Sequence, residues 1–200
     1  MRILREVALL AIAIVVVLIP GQMYVVKAFR IPSESMVPTL QVHDRVLTAR
    51  FLLRFRDPER GEIFVFHPNG EGSKVHTAAT ASTQNYVKRV IGLPNEVIGS
   101  VKGRVYVCSN ARYPDDLSAP ARTAGCRFLV EPYVHRLPTL SLARPGTDLA
   151  PTVVPPGYYY MMGDNRTSSA DSRAWGPVRH SQLIGRVFVR YWPVDRFAIW

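Results

Sequence analysis

Ile31-Pro32-Ser33-Glu34-Ser35-Met36-Val37-Pro38-Thr39-Leu40 (IPSESMVPTL) sets two serines two positions apart between two prolines. Each proline fixes φ, removes a backbone donor and drives the residue before it toward extended backbone. The stretch reads as a stiff, turned loop that could present a reactive hydroxyl. A Ser/Pro-rich segment can equally be an ordinary loop. What flanks it decides between the two.

Immediately upstream lies the most hydrophobic segment of the chain, residues 7–26 (VALLAIAIVVVLIPGQMYVV). At about 1.5 Å per residue a helix of this length spans about 30 Å, the thickness of a bilayer's hydrocarbon core. Pro20 and Gly21 can kink its outer end, which a membrane helix tolerates. A removable secretory signal beginning at Arg2 and Arg5 is the competing reading. Val26-Lys27-Ala28 fits the small-residue cleavage pattern poorly, so an uncleaved anchor is expected. The organisation that follows is a cytoplasmic tail at 1–6, a transmembrane helix at 7–27 and an extracytoplasmic domain at 28–200. Arg2 and Arg5 on one side balance Lys27 and Arg30 on the other, so charge alone does not orient the segment.

Downstream, the runs 45–48, 62–66 and 86–91 are alternating or β-branched, and glycine or proline bounds the latter two. With 158–162 and 183–192 they predict a mainly β domain. Sixteen prolines and thirteen glycines agree with many short strands. Residues 52–60 read as a polar connection, 70–84 as a small, polar loop and 103–157 as an inserted, irregular subdomain with a few strands. That insert holds both cysteines, Cys108 and Cys126. In an exported chain they could join, closing a loop worth about 3 kcal/mol, whereas in cytosol they would be free.

The formal net charge is +10. Scattered arginines, with no zinc-finger spacing, RNA-binding aromatic signature or basic helix, argue against nucleic acid. An anionic lipid surface suits the charge better, at roughly 1 kcal/mol per nearby Lys or Arg. A merely solvated basic surface would look the same.

A serine hydroxyl needs a base to become a nucleophile. None of the five histidines, His43, His67, His76, His135 and His180, falls in a recognisable triad block. His43-Asp44 is adjacent in sequence, and strand neighbours point to opposite faces. Lys88, in the apolar run NYVKRVIGLP, offers another route. Burial disfavours the ammonium, and a fall in pKa from about 10.4 to about 8 corresponds to roughly 3 kcal/mol. A neutral amine can then act as base, which the guanidinium of Arg89 cannot. Period-two alternation would let Lys88 point inward and Arg89 away. From the strand alone, a surface lysine with its head in water is the simpler reading.

Four blocks change that balance. IPSESMVPTL, RGEIFVFH, YVKRVIGLP and MMGDNRTSSADSRAWG occur in the order and spacing of the bacterial type I signal peptidases, and the chain resembles that family from its apolar segment to its end. Residues 103–157 align only loosely. The resemblance implies a serine–lysine dyad endopeptidase that removes signal peptides from exported preproteins, with no metal or organic cofactor; a lipid bilayer surface is an expected partner, and the oligomeric state, with a monomer the expectation, is left open. Carried over, Ser35 is the nucleophile, Lys88 the general base and Ser169 the hydroxyl that orients the amine. The Ser35 N–H and the Ser33 hydroxyl would form the oxyanion hole. Asp164, Arg89, Asp171 and Arg173 resemble structural ion pairs. Phe29, Ile31, Pro32, Met36, Leu40, Tyr86 and Val87 resemble the walls of two shallow pockets for small substrate side chains, although plain core packing would use the same residues. Glu62 and Asn95-Glu96 depart from the usual aspartate and glycine-aspartate, which touches local turns only. Two alternatives stay open: a specialised maturation protease of the same family, and a catalytically silent, membrane-anchored scaffold.

Overall fold

A computed structural model describes residue 6 and residues 26–67, 85–134 and 148–200. Residues 7–25 of the expected transmembrane helix, nearly all of the expected tail, the loop at 70–84, His76 and His135 lie outside the described residues. Among the described residues no helix is long and apolar enough to cross a membrane.

Among the described residues twelve strands form, in chain order: β1 (Val26–Arg30), β2 (Arg45–Ala49), β3 (Ile63–Phe66), β4 (Tyr86–Gly92), β5 (Val97–Val101), β6 (Arg104–Cys108), β7 (Cys126–Phe128), β8 (Thr152–Val153), β9 (Tyr158–Met162), β10 (Val178–Arg179), β11 (Leu183–Trp192) and β12 (Ala198–Ile199). One short helix, α1 (Ser172–Trp175), follows β9. The domain is mainly β, as its composition predicts. Val26 and Lys27, counted above with the transmembrane segment, instead begin β1 and pair with Ala49 and Thr48 of β2. β1 is an edge strand, and β2 supplies the hydrogen bonds a membrane helix would have made within itself.

The larger sheet runs β1-β2-β11-β3-β4-β9-β10, with β12 also on β11, and every pairing is antiparallel. β11 pairs with β3 through Leu183–Arg186 and with β2 through Arg186–Trp192, its register shifting three times on the way. Such bulges bend a strand and add twist. They let one ten-residue strand join the β1-β2 edge to the β3-β4 centre. β3 and β4 are buried on both faces: Ile63, Val65 and Val87 pack with Ile31, Met36 and Leu40, while Phe64, Phe66 and Val90 pack with Tyr159, Met161 and Val178.

A second sheet, β7-β6-β5-β8, draws three of its strands from the irregular middle. It starts at Val97, before the expected insert, and ends at Val153. Lys102 and Gly103, both at positive φ, make the two-residue hairpin turn between β5 and β6. Cys108 and Cys126 face each other across β6 and β7 and are disulfide-bonded. Ile91, Tyr160 and Met162 from the first sheet pack with Ile98, Val105 and Val107 from the second, fixing the two together.

Candidate active site

Ser35 sits in a single 3₁₀ turn, Glu34–Met36, that follows Pro32 and the extended Ser33. The turn is held from two sides. Ile31 and Met36 are buried in the core, and the Ser35 carbonyl accepts the Asn165 N–H at 3.0 Å. The Ser35 turn is thereby tied to the block that follows β9.

Lys88 lies on β4, where Phe64 of β3 is its register partner. Its side chain is only 2% exposed, and Nζ donates to the Ser35 hydroxyl at 2.6 Å. The Ser33 hydroxyl is 3.2 Å from that of Ser35. Burial pushes the Lys88 pKa down from its ordinary 10.5 to about 8. The negative charges of Asp171 and Asp164 oppose that fall, and Arg173 assists it. Desolvation wins because no carboxylate bonds the amine directly.

Arg89 leaves β4 toward other partners but not toward solvent, which corrects the expectation that it points away. It is 6% exposed and donates to Asp164 through Nε at 2.8 Å and Nη2 at 2.5 Å. It also donates to the Gly61 carbonyl and stacks 3.9 Å from the Tyr133 ring centre. Thr39 donates to the same Asp164 carboxylate at 2.5 Å. A central strand has no solvent side, so its second cation needs a buried acid. Asp171 plays the matching role for Arg173, at 2.8 Å. Burial pushes the Asp171 carboxyl up, but the bonds and charge of Arg173 and the Gly163 N–H more than offset it and hold the group below its usual range.

The Ser169 hydroxyl is buried next to this cluster, yet it meets no partner at hydrogen-bond geometry. The expected contact with the Lys88 amine is therefore not made here. Gly163 explains how close the parts come: a Cβ there would collide with the Ser169 side chain and the Ser35 carbonyl.

A small cavity of about 90 Å³ opens beside the two side chains. Ile31, Pro32, Met36, Tyr86 and Val87 line it together with Ser33, Ser35 and Lys88. Asn85 joins them and was missed, though it stands directly before the strand block. Leu40 and Phe29 are not in the lining. Leu40 is wholly buried in the core cluster beneath, and Phe29 packs against that cluster.

The arrangement is a hydroxyl bonded to a desolvated amine next to a narrow apolar slot. A family model for the signal peptidases, peptidase S26, matches residues 4–192. The chain belongs to that family. It is 37% identical over 178 residues to the probable signal peptidase I-2 of a Synechocystis strain, covering 88% of this chain and 67% of the relative. Identity to the signal peptidase I of Leptolyngbya laminosa is 35%, over 88% of this chain and 73% of that one. Signal peptidase IB of Staphylococcus aureus (strain COL) is 31% identical over 98% of this chain and 93% of its own.

Proposed function

We propose that this member of the family is a membrane-anchored serine endopeptidase that removes N-terminal signal peptides from exported preproteins. The observation that carries the reading is the 2.6 Å hydrogen bond between the buried Lys88 amine and the Ser35 hydroxyl. Near pH 8 about half of that amine is neutral and able to accept a proton.

The chemistry is acyl transfer in two stages. Ser35 Oγ attacks the scissile carbonyl as its proton passes to Lys88 Nζ. The negative charge on the carbonyl oxygen is met by the Ser35 N–H and the Ser33 hydroxyl. The C–N bond then breaks, and Lys88 returns the proton to the leaving nitrogen. Water attacks the ester with Lys88 again as base, freeing the signal peptide and restoring Ser35. Ser169 is the proposed positioning residue for the amine, supported by its unpartnered hydroxyl packed against the same loop.

The small cavity suits short side chains before the bond, and an extended peptide would add to β4 as a further strand. The apolar run at 7–26 supports an anchor with the domain outside. Ala49, the register partner of Val26, is followed at once by Arg50, Phe51 and Arg54. Phe51 and Phe55 stack edge-to-face at 6.3 Å, and Phe55 is 80% exposed. An aromatic pair between arginines, beside the point where the apolar run ends, suits a lipid surface. Phe29 and Trp200, by contrast, pack against the core.

Cleavage of a preprotein by wild type, Ser35→Ala and Lys88→Ala tests the assignment. Product from wild type alone is expected. Equal product from all three sinks it.

A further inference from the structure

The pairing of β4 is lopsided. β3 accompanies it from Tyr86 to Arg89, whereas β9 pairs with its other edge only from Arg89, through Met162. Along Tyr86, Val87 and Lys88 that second edge carries no strand among the described residues. A peptide laid there keeps the residues before its scissile bond over the slot formed by Ile31, Pro32, Tyr86 and Val87. Beyond Ser35 and Lys88 it cannot follow β4, because β9 already occupies the edge. It has to leave the sheet at Met162 and Gly163.

A second cavity, of about 410 Å³, opens at that point between the two sheets. Met162, Ser169 and Arg173 line it from the first sheet's side, and Val105, Asp148 and Leu149 from the second. Its size lies within the range of ligand sites. It adjoins the dyad, since Ser169 and the Ser35 carbonyl crowd the same point beside Gly163. Arg173 is also near enough to Lys88 to perturb its charge.

The lining has both characters a peptide segment needs: Val105, Leu149 and Met162 are apolar, while Ser169, Arg173 and Asp148 are polar. Arg173 is taken by Asp171, and the other lining arginine, Arg166, is bonded to Glu131. Asp148 differs. Its carboxylate accepts from the N–H groups of Lys102 at 2.9 Å and Gly103 at 3.0 Å and from the Ser100 hydroxyl at 3.3 Å. Among the described residues no cationic side chain pairs with it.

We propose that this cavity binds the first residues of the mature product, those on the carboxyl side of the scissile bond, with Asp148 drawing the new amino group away once it is released. The proposal rests on the peptidase reading above. When the C–N bond breaks, the leaving nitrogen takes the proton held by Lys88 and a second from water, becoming an ammonium. A carboxylate at the cavity rim favours that species over the neutral amide it replaces.

Two substrates with the same residues before the bond form the test. One continues three residues past it, and the other is an aminocoumarin amide that ends there. The reading is the ratio of kcat/KM for the two, which general damage to the enzyme cancels. Leu149→Trp, which fills the cavity, and Asp148→Asn are each compared with wild type in the full chain. The expected result is a ratio lowered about tenfold by Leu149→Trp and several-fold by Asp148→Asn. A free tripeptide matching the mature start should inhibit amide cleavage by wild type but not by Leu149→Trp. A ratio unchanged in both variants overturns the proposal while leaving the peptidase intact. A wild type that cuts neither substrate overturns both.

Discussion

Replacing Lys88 with methionine should make the protein more stable at neutral pH while abolishing cleavage. The side chain is 2% exposed, and its pKa falls from 10.5 to about 8, mainly because burial penalises the ammonium. At 1.36 kcal/mol per pH unit, the charged form opposes folding by about 3 kcal/mol. Below pH 8 the lysine is charged in both folded and unfolded chains, so the full penalty applies. Between about 8 and 10.5 the folded protein sheds a proton that the unfolded chain keeps, and wild-type stability rises with pH. Above 10.5 no penalty is left. Methionine has similar length and no charge, but it forfeits the bond to Ser35, worth about 1 kcal/mol. The net expectation is a gain of about 2 kcal/mol at pH 7, or about 4–8 °C in Tm. That gain should vanish, and slightly reverse, by pH 10.5. Thermal unfolding of the full chain in detergent micelles across this range gives the difference curve. The wild-type pH–rate profile should rise through about 8 in the same buffers. A difference between variant and wild type that stays flat from pH 7 to 10.5 would refute the reasoning, because the amine would then be solvated.

Four further outcomes can be checked. Ser33→Ala should lower kcat about 10²–10³-fold with little change in KM, as steady-state cleavage would read. Asp164→Asn leaves Arg89 buried without its acid and should cost about 3–5 kcal/mol in chemical denaturation. Gly163→Ala drives a methyl into Ser169 and the Ser35 carbonyl, so both cleavage and Tm should fall. Replacing Cys108 and Cys126 with serine opens a loop with a sequence separation of 18 and should lower unfolding free energy by about 3 kcal/mol, read as a shifted denaturation midpoint.

Much of the fold was visible in local pattern. The strands at 86–92, 158–162 and 183–192 lie where β-branched and aromatic runs between turn residues predict them, because strand propensity and turn chemistry act over a few neighbours. β1 was hidden by its neighbour: Val26 and Lys27 continue an apolar run, and only their pairing with β2 reveals the strand. The second sheet was hidden for another reason. Its strands β7 and β8 span three and two residues, too short for alternation to register.

The residue types of the candidate site, and their order, were determined by sequence alone: Ser33, Ser35, Lys88, Ser169 and the paired acids and arginines all sit in motif blocks. Whether the lysine is dry was not, because the same strand could have carried a surface lysine. Desolvation sums over every group packed around the amine, and Ser35, its partner, lies 53 positions away in the chain. The edge of β4 left unpaired among the described residues, the point where β9 closes it and the cavity between the sheets belong to the tertiary structure as well. They arise from where strands distant in sequence begin and stop pairing, and no local pattern encodes that.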